Sequence, residues 1–210
     1  MSSKLIQKKG IISRLLEKCL NILVRNECKK IGKIKIDIIA SSIQIIKGEI
    51  PKIYIIADDI NYKYLLFDKI ELEANDIKIK FKINKNELTF KNDFIINIKI
   101  LLSQNSLRTI LFSSNWDWIR KMITKEILNE ETLEGIQIKN DKLLIITAKK
   151  GKTLKEVEKI DIKAENGKLY LKNQSYNKYI RIPIEDKVCI KDVKIKNNII
   201  NIFANSSVDF

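Results

Sequence analysis

No histidine occurs anywhere in the chain, which removes the commonest general base, the usual nucleophile–base triads and most zinc-enzyme ligand sets. Carboxylates are then the remaining acid–base groups, and two adjacent pairs stand out, Asp58-Asp59 and Glu130-Glu131. Neighbours on a strand point to opposite faces, and acidic pairs at turns are usually only solvated, so neither pair predicts catalysis. The three cysteines, Cys19, Cys28 and Cys189, are odd in number and lack CxxC spacing, against both a disulfide framework and a zinc site. The six glycines are scattered singly, so no phosphate-cradling loop can be drawn. The expectation is a protein that is not an enzyme, with no catalytic residue, no metal ligand and no cofactor.

Two features could do binding chemistry instead. From Met1 to Lys35 there are ten basic residues (Lys4, Lys8, Lys9, Arg14, Lys18, Arg25, Lys29, Lys30, Lys33 and Lys35) against Glu17 and Glu27, so much of the net charge of +14 lies at the start of the chain. Such a balance favours anionic partners: lipid headgroups, phosphorylated glycans or nucleic acid. A Lys-, Ile- and Asn-rich text also follows from AT-rich coding, with no partner implied. The second feature is Trp116 and Trp118, two residues apart. On a helix they point roughly 200° apart, so at most one can be fully in a core, and the other suits an interface.

The elements that must position these groups follow from periodicity. Ile11, Ile12, Leu15, Leu16, Cys19, Ile22 and Leu23 recur at helical spacing, with Lys8, Arg14, Lys18 and Arg25 mostly off that face, which predicts a basic amphipathic helix within residues 1–31, stopped near Gly32. That helix can be packed on a sheet with its lysines in water, lie on a membrane surface, or contact nucleic acid; no nucleic-acid-binding motif appears, so that last partner is disfavoured. From 33 to 101 the period falls to 2, as in Lys33–Ile38, Ile77–Ile83 and Phe94–Leu101, with a slip at Asn75-Asp76. Helical spacing returns over 103–129, capped by Ser103 and broken near Ser113-Ser114-Asn115. Residues 132–204 read as strands, with hairpins at Asn140-Asp141, Asn166-Gly167 and Asn197-Asn198. Leu143–Ile146 and Ile199–Phe203 are apolar on both sides, as strands covered on two faces or central in a sheet would be.

Nothing in the composition separates two domains, since there are only 6 Gly and 2 Pro and no linker-like stretch. One domain over 1–210 is expected. Arg14, Glu17 and Lys18 interrupt the first apolar run too early for a secretory segment, and no run reaches the roughly 20 apolar residues of a membrane span. A cytoplasmic protein, or one peripheral to a membrane, is the expectation.

An opening helix is followed by a strand leading into a small-residue turn (Ile38 to Gly48), by the phrase Tyr64-Leu65-Leu66-Phe67-Asp68-Lys69-Ile70-Glu71-Leu72-Glu73-Ala74-Asn75-Asp76-Ile77, and by a strand entering a helix at Leu102–Leu111. In this order of elements the chain resembles the LmeA-like phospholipid-binding family of actinobacteria and cyanobacteria. Where family members carry acidic residues at that helix start, this chain has Gln104-Asn105-Ser106. The resemblance implies an α+β fold with a strongly bent antiparallel sheet wrapped around a long helix, as in tubular lipid-binding proteins. It also implies a non-enzymatic, phospholipid-handling protein. Leu107, Leu111, Phe112, Trp116, Trp118 and Ile119 are then the lipid-groove candidates, and Lys4, Lys8, Lys9 and Arg14 the contacts to an anionic membrane surface. The alternative is a scaffold or assembly factor with a fully packed core and a protein partner.

Overall fold

The computed structural model describes residues 10–82, 87–129, 131–148 and 155–210. Alternating sequence becomes twelve antiparallel strands in two sheets. The larger contains β1 (Ile34–Ile39), β2 (Glu49–Tyr62), β3 (Leu65–Lys82), β5 (Phe94–Leu102), β12 (Ile199–Val208) and β11 (Val188–Lys196) in that spatial order, with β4 (Glu87–Phe90) paired to the far end of β3. The smaller is a meander of β6 (Thr132–Lys139), β7 (Lys142–Ala148), β8 (Lys155–Glu165), β9 (Lys168–Asn173) and β10 (Lys178–Ile182). Among the described residues four α-helices accompany them: α1 (Ile11–Glu27), α2 (Ser42–Lys47), α3 (Gln104–Leu111) and α4 (Asp117–Ile127).

The antiparallel α+β class is as expected, but a sheet wrapped around a long helix is not what forms. The break predicted at Ser113-Ser114-Asn115 is part of the reason. It becomes a short 3₁₀ turn between α3 and α4, so neither helix is long enough to serve as a central rod. α1 is the longest helix at 17 residues, and it packs at one end of the larger sheet, over β1 and α2.

Apolar burial accordingly divides in two. One core joins α1 and α2 to β1, β2 and the far half of β3, through Leu16, Leu20, Ile36, Ile38, Ile45, Ile50, Ile53 and Ile77. The other joins α3 and α4 to the smaller sheet and to the ends of β5 and β12, through Leu102, Ile110, Ile123, Ile127, Ile145, Ile160 and Ile200. Two polar contacts tie hairpin tips of the two sheets together. Asp141 N–H donates to Asn198 Oδ1 at 3.2 Å and Asn198 N–H donates to Asp141 Oδ1 at 2.8 Å.

Turn chemistry follows the sequence closely. Asn140, Asp141, Asn166, Gly167, Asn197 and Asn198 all take positive φ at the three predicted hairpins, the geometry that matches strand twist. The slip in β3 is real, with Asp76 at φ 53°, yet the strand runs on through it. Three local expectations change. The helix ends at Cys28, not near Gly32, whose N–H bonds instead to Asp58 O at 3.0 Å. The turn between Ile38 and Gly48 contains α2, closed by a Ser41–Gln44 capping box and by Gly48 at φ 80°. Glu131, expected to be solvated, is buried and accepts a 2.7 Å hydrogen bond from Thr147 Oγ1; Glu130 and Ile83 lie outside the described residues.

Candidate functional site

α1 and α2 meet at their N-termini, where a Cβ added to Gly10 would stand 2.6 Å from Ser42 Oγ. The stripe of α1 that faces the sheet is Ser13, Leu16, Cys19 and Leu20. Leu23 continues that stripe by helical spacing but is 41% exposed, and Ile11 and Ile22 are also exposed. On α2, Ile45 points into the core while Ile43 and Ile46, three residues apart, face solvent together with Ile39 at the end of β1. This end of the molecule therefore presents bare isoleucines with exposed Arg14, Lys18 and Lys47 on the same two helices. Lys4, Lys8 and Lys9 lie outside the described residues.

The six groove candidates on the helical segment come together around the second core. Leu111 and Ile119 are buried in it, and Leu107, Phe112 and Trp116 pack partly buried against it. Trp118 is 44% exposed, with its ring 5.9 Å from that of Trp116, so the two indoles do divide between interior and surface. The Trp116 Nε1–H is buried without an acceptor among the described residues. Arg120 covers the Phe112 ring at 5.7 Å.

Sequence reasoning missed Asp68. The carboxylate absent from Gln104-Asn105-Ser106 arrives from β3, where Asp68 accepts from Ser103 N–H at 2.5 Å and from Ser103 Oγ at 2.9 Å. It thus places negative charge at the electropositive start of α3, while Ser103 Oγ accepts from Ser106 N–H. Only the pairing of β3 beside β5 makes this visible, since 35 residues separate the partners.

Between the two cores, the face of the larger sheet that bears the helices carries apolar residues that neither core covers. Ile70 pairs with Ile100 and Leu72 with Ile98 across β3 and β5, and all four are half-buried and belong to neither cluster. On either side the strip runs into residues that are covered: Ala57 on β2 and Ala204 on β12 are buried, and Ile55 and Ile202 pack against the two cores. The opposite face of the same strands carries ion pairs: Lys69 and Lys99 each reach Glu71 at 3.1 Å, and Lys52 reaches Glu73 at 2.8 Å. Elsewhere, small clefts of about 170 and 290 Å³ lie at the sheet junction and beside α4, below the roughly 300–1,000 Å³ of ordinary ligand pockets.

One group of carboxylates is close enough to share an ion. Oxygens of Glu131, Glu156 and Glu158 lie within 4.8 Å of one another at one end of the smaller sheet. Asp58 and Asp59 form no such group: Asp59 sits exposed at φ 53° in an irregularity of β2, and both backbone carbonyls receive the Gly32 amide.

No protein-family model, curated protein or solved structure matches this chain. The functional reading therefore rests on the geometry above.

Proposed function

We propose that this chain is a non-enzymatic phospholipid-binding protein that approaches an anionic membrane peripherally. The observation that carries the reading is the strip of partly exposed Ile70, Leu72, Ile98 and Ile100, which belongs to neither core. Partly exposed aliphatic side chains in a row, with the ion pairs of Lys52, Lys69 and Lys99 on the other face, suit an acyl chain better than a polar ligand. Each acyl CH₂ buried there contributes about 0.8 kcal/mol. The charge of +14 supplies headgroup attraction, and the isoleucines of α1 and α2 supply shallow apolar contact at the same end as the basic helix. No helix among the described residues is long and apolar enough to cross a membrane.

Native mass spectrometry of the purified protein, with extraction of co-purified lipid, tests this. A Leu72→Gln/Ile98→Gln variant should fold and lose most of the bound lipid, while Lys99→Gln on the opposite face should keep it. Absence of lipid from the parent, together with no binding to anionic vesicles at low salt, would overturn the proposal.

A second reading, a scaffold with a protein partner, is favoured by one observation: Ile11, Ile39, Ile43 and Ile46 expose much of their surface at one end of the molecule. A stoichiometric protein partner that survives delipidation and is lost on Ile43→Asp/Ile46→Asp substitution would establish it over the first.

A further inference from the structure

We infer that Glu131, Glu156 and Glu158 form a binding site for one hard divalent cation of the calcium or magnesium class. The three side chains come from two parts of the chain. Glu131 immediately precedes β6, while Glu156 and Glu158 stand two residues apart on β8 and so share a face of the smaller sheet. Glu156 pairs with Thr147 and Glu158 with Ile145, and both partners on β7 are buried. Glu158 is accordingly buried on the side of the sheet that packs on α4, while Glu156, at the strand's end, is exposed at the rim of the group.

The three carboxylates are held close together at this end of the sheet. Glu131 and Glu158 are each 5% exposed, and their carboxylate oxygens and that of Glu156 lie within 4.8 Å of one another. Like charges at that distance in a partly desolvated site repel strongly. Glu158 supplies the decisive observation. Its Oε2 is buried and has no hydrogen-bond partner among the described residues, so an acceptor oxygen of this residue is left without a donor. Buried polar atoms of folded proteins are rarely left so.

The surroundings suit a cation. Glu131 is oriented by two hydroxyls, Thr147 Oγ1 at 2.7 Å on Oε2 and Tyr176 OH at 3.4 Å on Oε1. Each carboxylate oxygen has a second lone pair, so these bonds orient the ligand without blocking it, as outer-shell partners of metal ligands do. The Glu131 amide donates to Leu128 O at 2.9 Å, which sets the group beside the electronegative end of α4. All the side-chain donors are oxygens, which selects hard cations over zinc or copper.

The site stands apart from the lipid strip, on the other sheet, so the two readings fail separately. The test is calorimetric titration of the chelator-treated full chain with calcium chloride and with magnesium chloride, alongside thermal melts. Saturable binding near one ion per chain with a raised melting temperature is expected, because an ion that binds only the folded state stabilises it. Glu158→Gln should weaken binding by at least about tenfold with an unchanged circular dichroism spectrum. Glu156→Gln, at an exposed position, should weaken it similarly and carries the test if the first variant does not fold. Absence of saturable binding with both ions, or parent-like affinity in either folded variant, would overturn the inference.

Discussion

Asn173 should be one of the most sensitive polar positions in the protein. Its side chain is fully buried at the end of β9, and it bonds in two directions. Nδ2 donates to the Ile127 carbonyl at 3.0 Å, satisfying one of the orphan acceptors at the end of α4, and Oδ1 accepts from Ser175 N–H at 2.8 Å. Asn173→Ala removes both bonds. Ser175 is exposed and its amide can turn to water, but Ile127 is fully buried, so its carbonyl bears most of the desolvation penalty. With roughly 1–3 kcal/mol for an unsatisfied buried group, plus a small cavity, the loss should be about 2–4 kcal/mol. At roughly 2–4 °C per kcal/mol for a chain of this size, the melting temperature should fall by about 5–15 °C. Asn173→Asp is the sharper variant. It keeps the acceptor for Ser175 but turns a carboxylate oxygen toward the Ile127 carbonyl, so at neutral pH it should be at least as damaging as Ala despite its near-identical shape. Urea unfolding followed by circular dichroism and by the fluorescence of Trp116 and Trp118, at the same core, measures both. A loss below about 1 kcal/mol in the alanine variant, or an aspartate variant clearly more stable than the alanine one, would refute this account of how α4 is held.

Three further outcomes are expected. Gly48→Ala should cost more than about 1 kcal/mol, because φ is 80° and an added Cβ would stand 2.2 Å from Ile79 O; equal stability by chemical denaturation would contradict this. Replacing Lys4, Lys8, Lys9 and Arg14 together by Gln should abolish sedimentation with anionic vesicles at low salt, and parent-like sedimentation would contradict this. Burial pushes the Glu71 carboxyl up, but hydrogen bonds from Lys69 and Lys99 outweigh it and hold the carboxyl below the ordinary glutamate range. A depressed folded value contributes stability at neutral pH that is lost as acidification passes through that value, so Glu71→Gln should flatten the acid limb of a stability–pH curve.

Much of the fold is legible in the residues because period and turn chemistry agree. Alternating Ile and Lys gave the strands of 33–101, and asparagine-rich turns fixed three hairpins. Ile199–Phe203, apolar on both sides, proved to be central, between β5 and β11. β2 is harder to read, since Ile53-Tyr54-Ile55-Ile56-Ala57 offers no clean alternation. α2 is too short to show a period, and only its capping box betrays it. The division into two sheets depends on where the broken α3–α4 segment sits, which periodicity cannot supply. The acidic group was hidden for a related reason. Lys155-Glu156-Val157-Glu158-Lys159 reads as a wet strand, and the burial of Glu158 follows from its sharing a face with Ile160 two residues on, with Glu131 brought beside it from the start of β6.

The placement of β12 bears on how the protein can be made. β5 and β12 are neighbours in the larger sheet, yet about 100 residues lie between them, the whole smaller sheet included. At roughly 5–20 residues per second of translation, the free edge of β5 waits about 5–20 s for its partner. That edge is Phe94-Ile95-Ile96-Asn97-Ile98-Lys99-Ile100-Leu101-Leu102, a single charge among isoleucines and leucines, the kind of strand that pairs with whatever backbone it meets. Until β12 emerges the nascent chain therefore carries an unpaired apolar edge, and a factor that covers that edge during synthesis should raise the yield of folded protein.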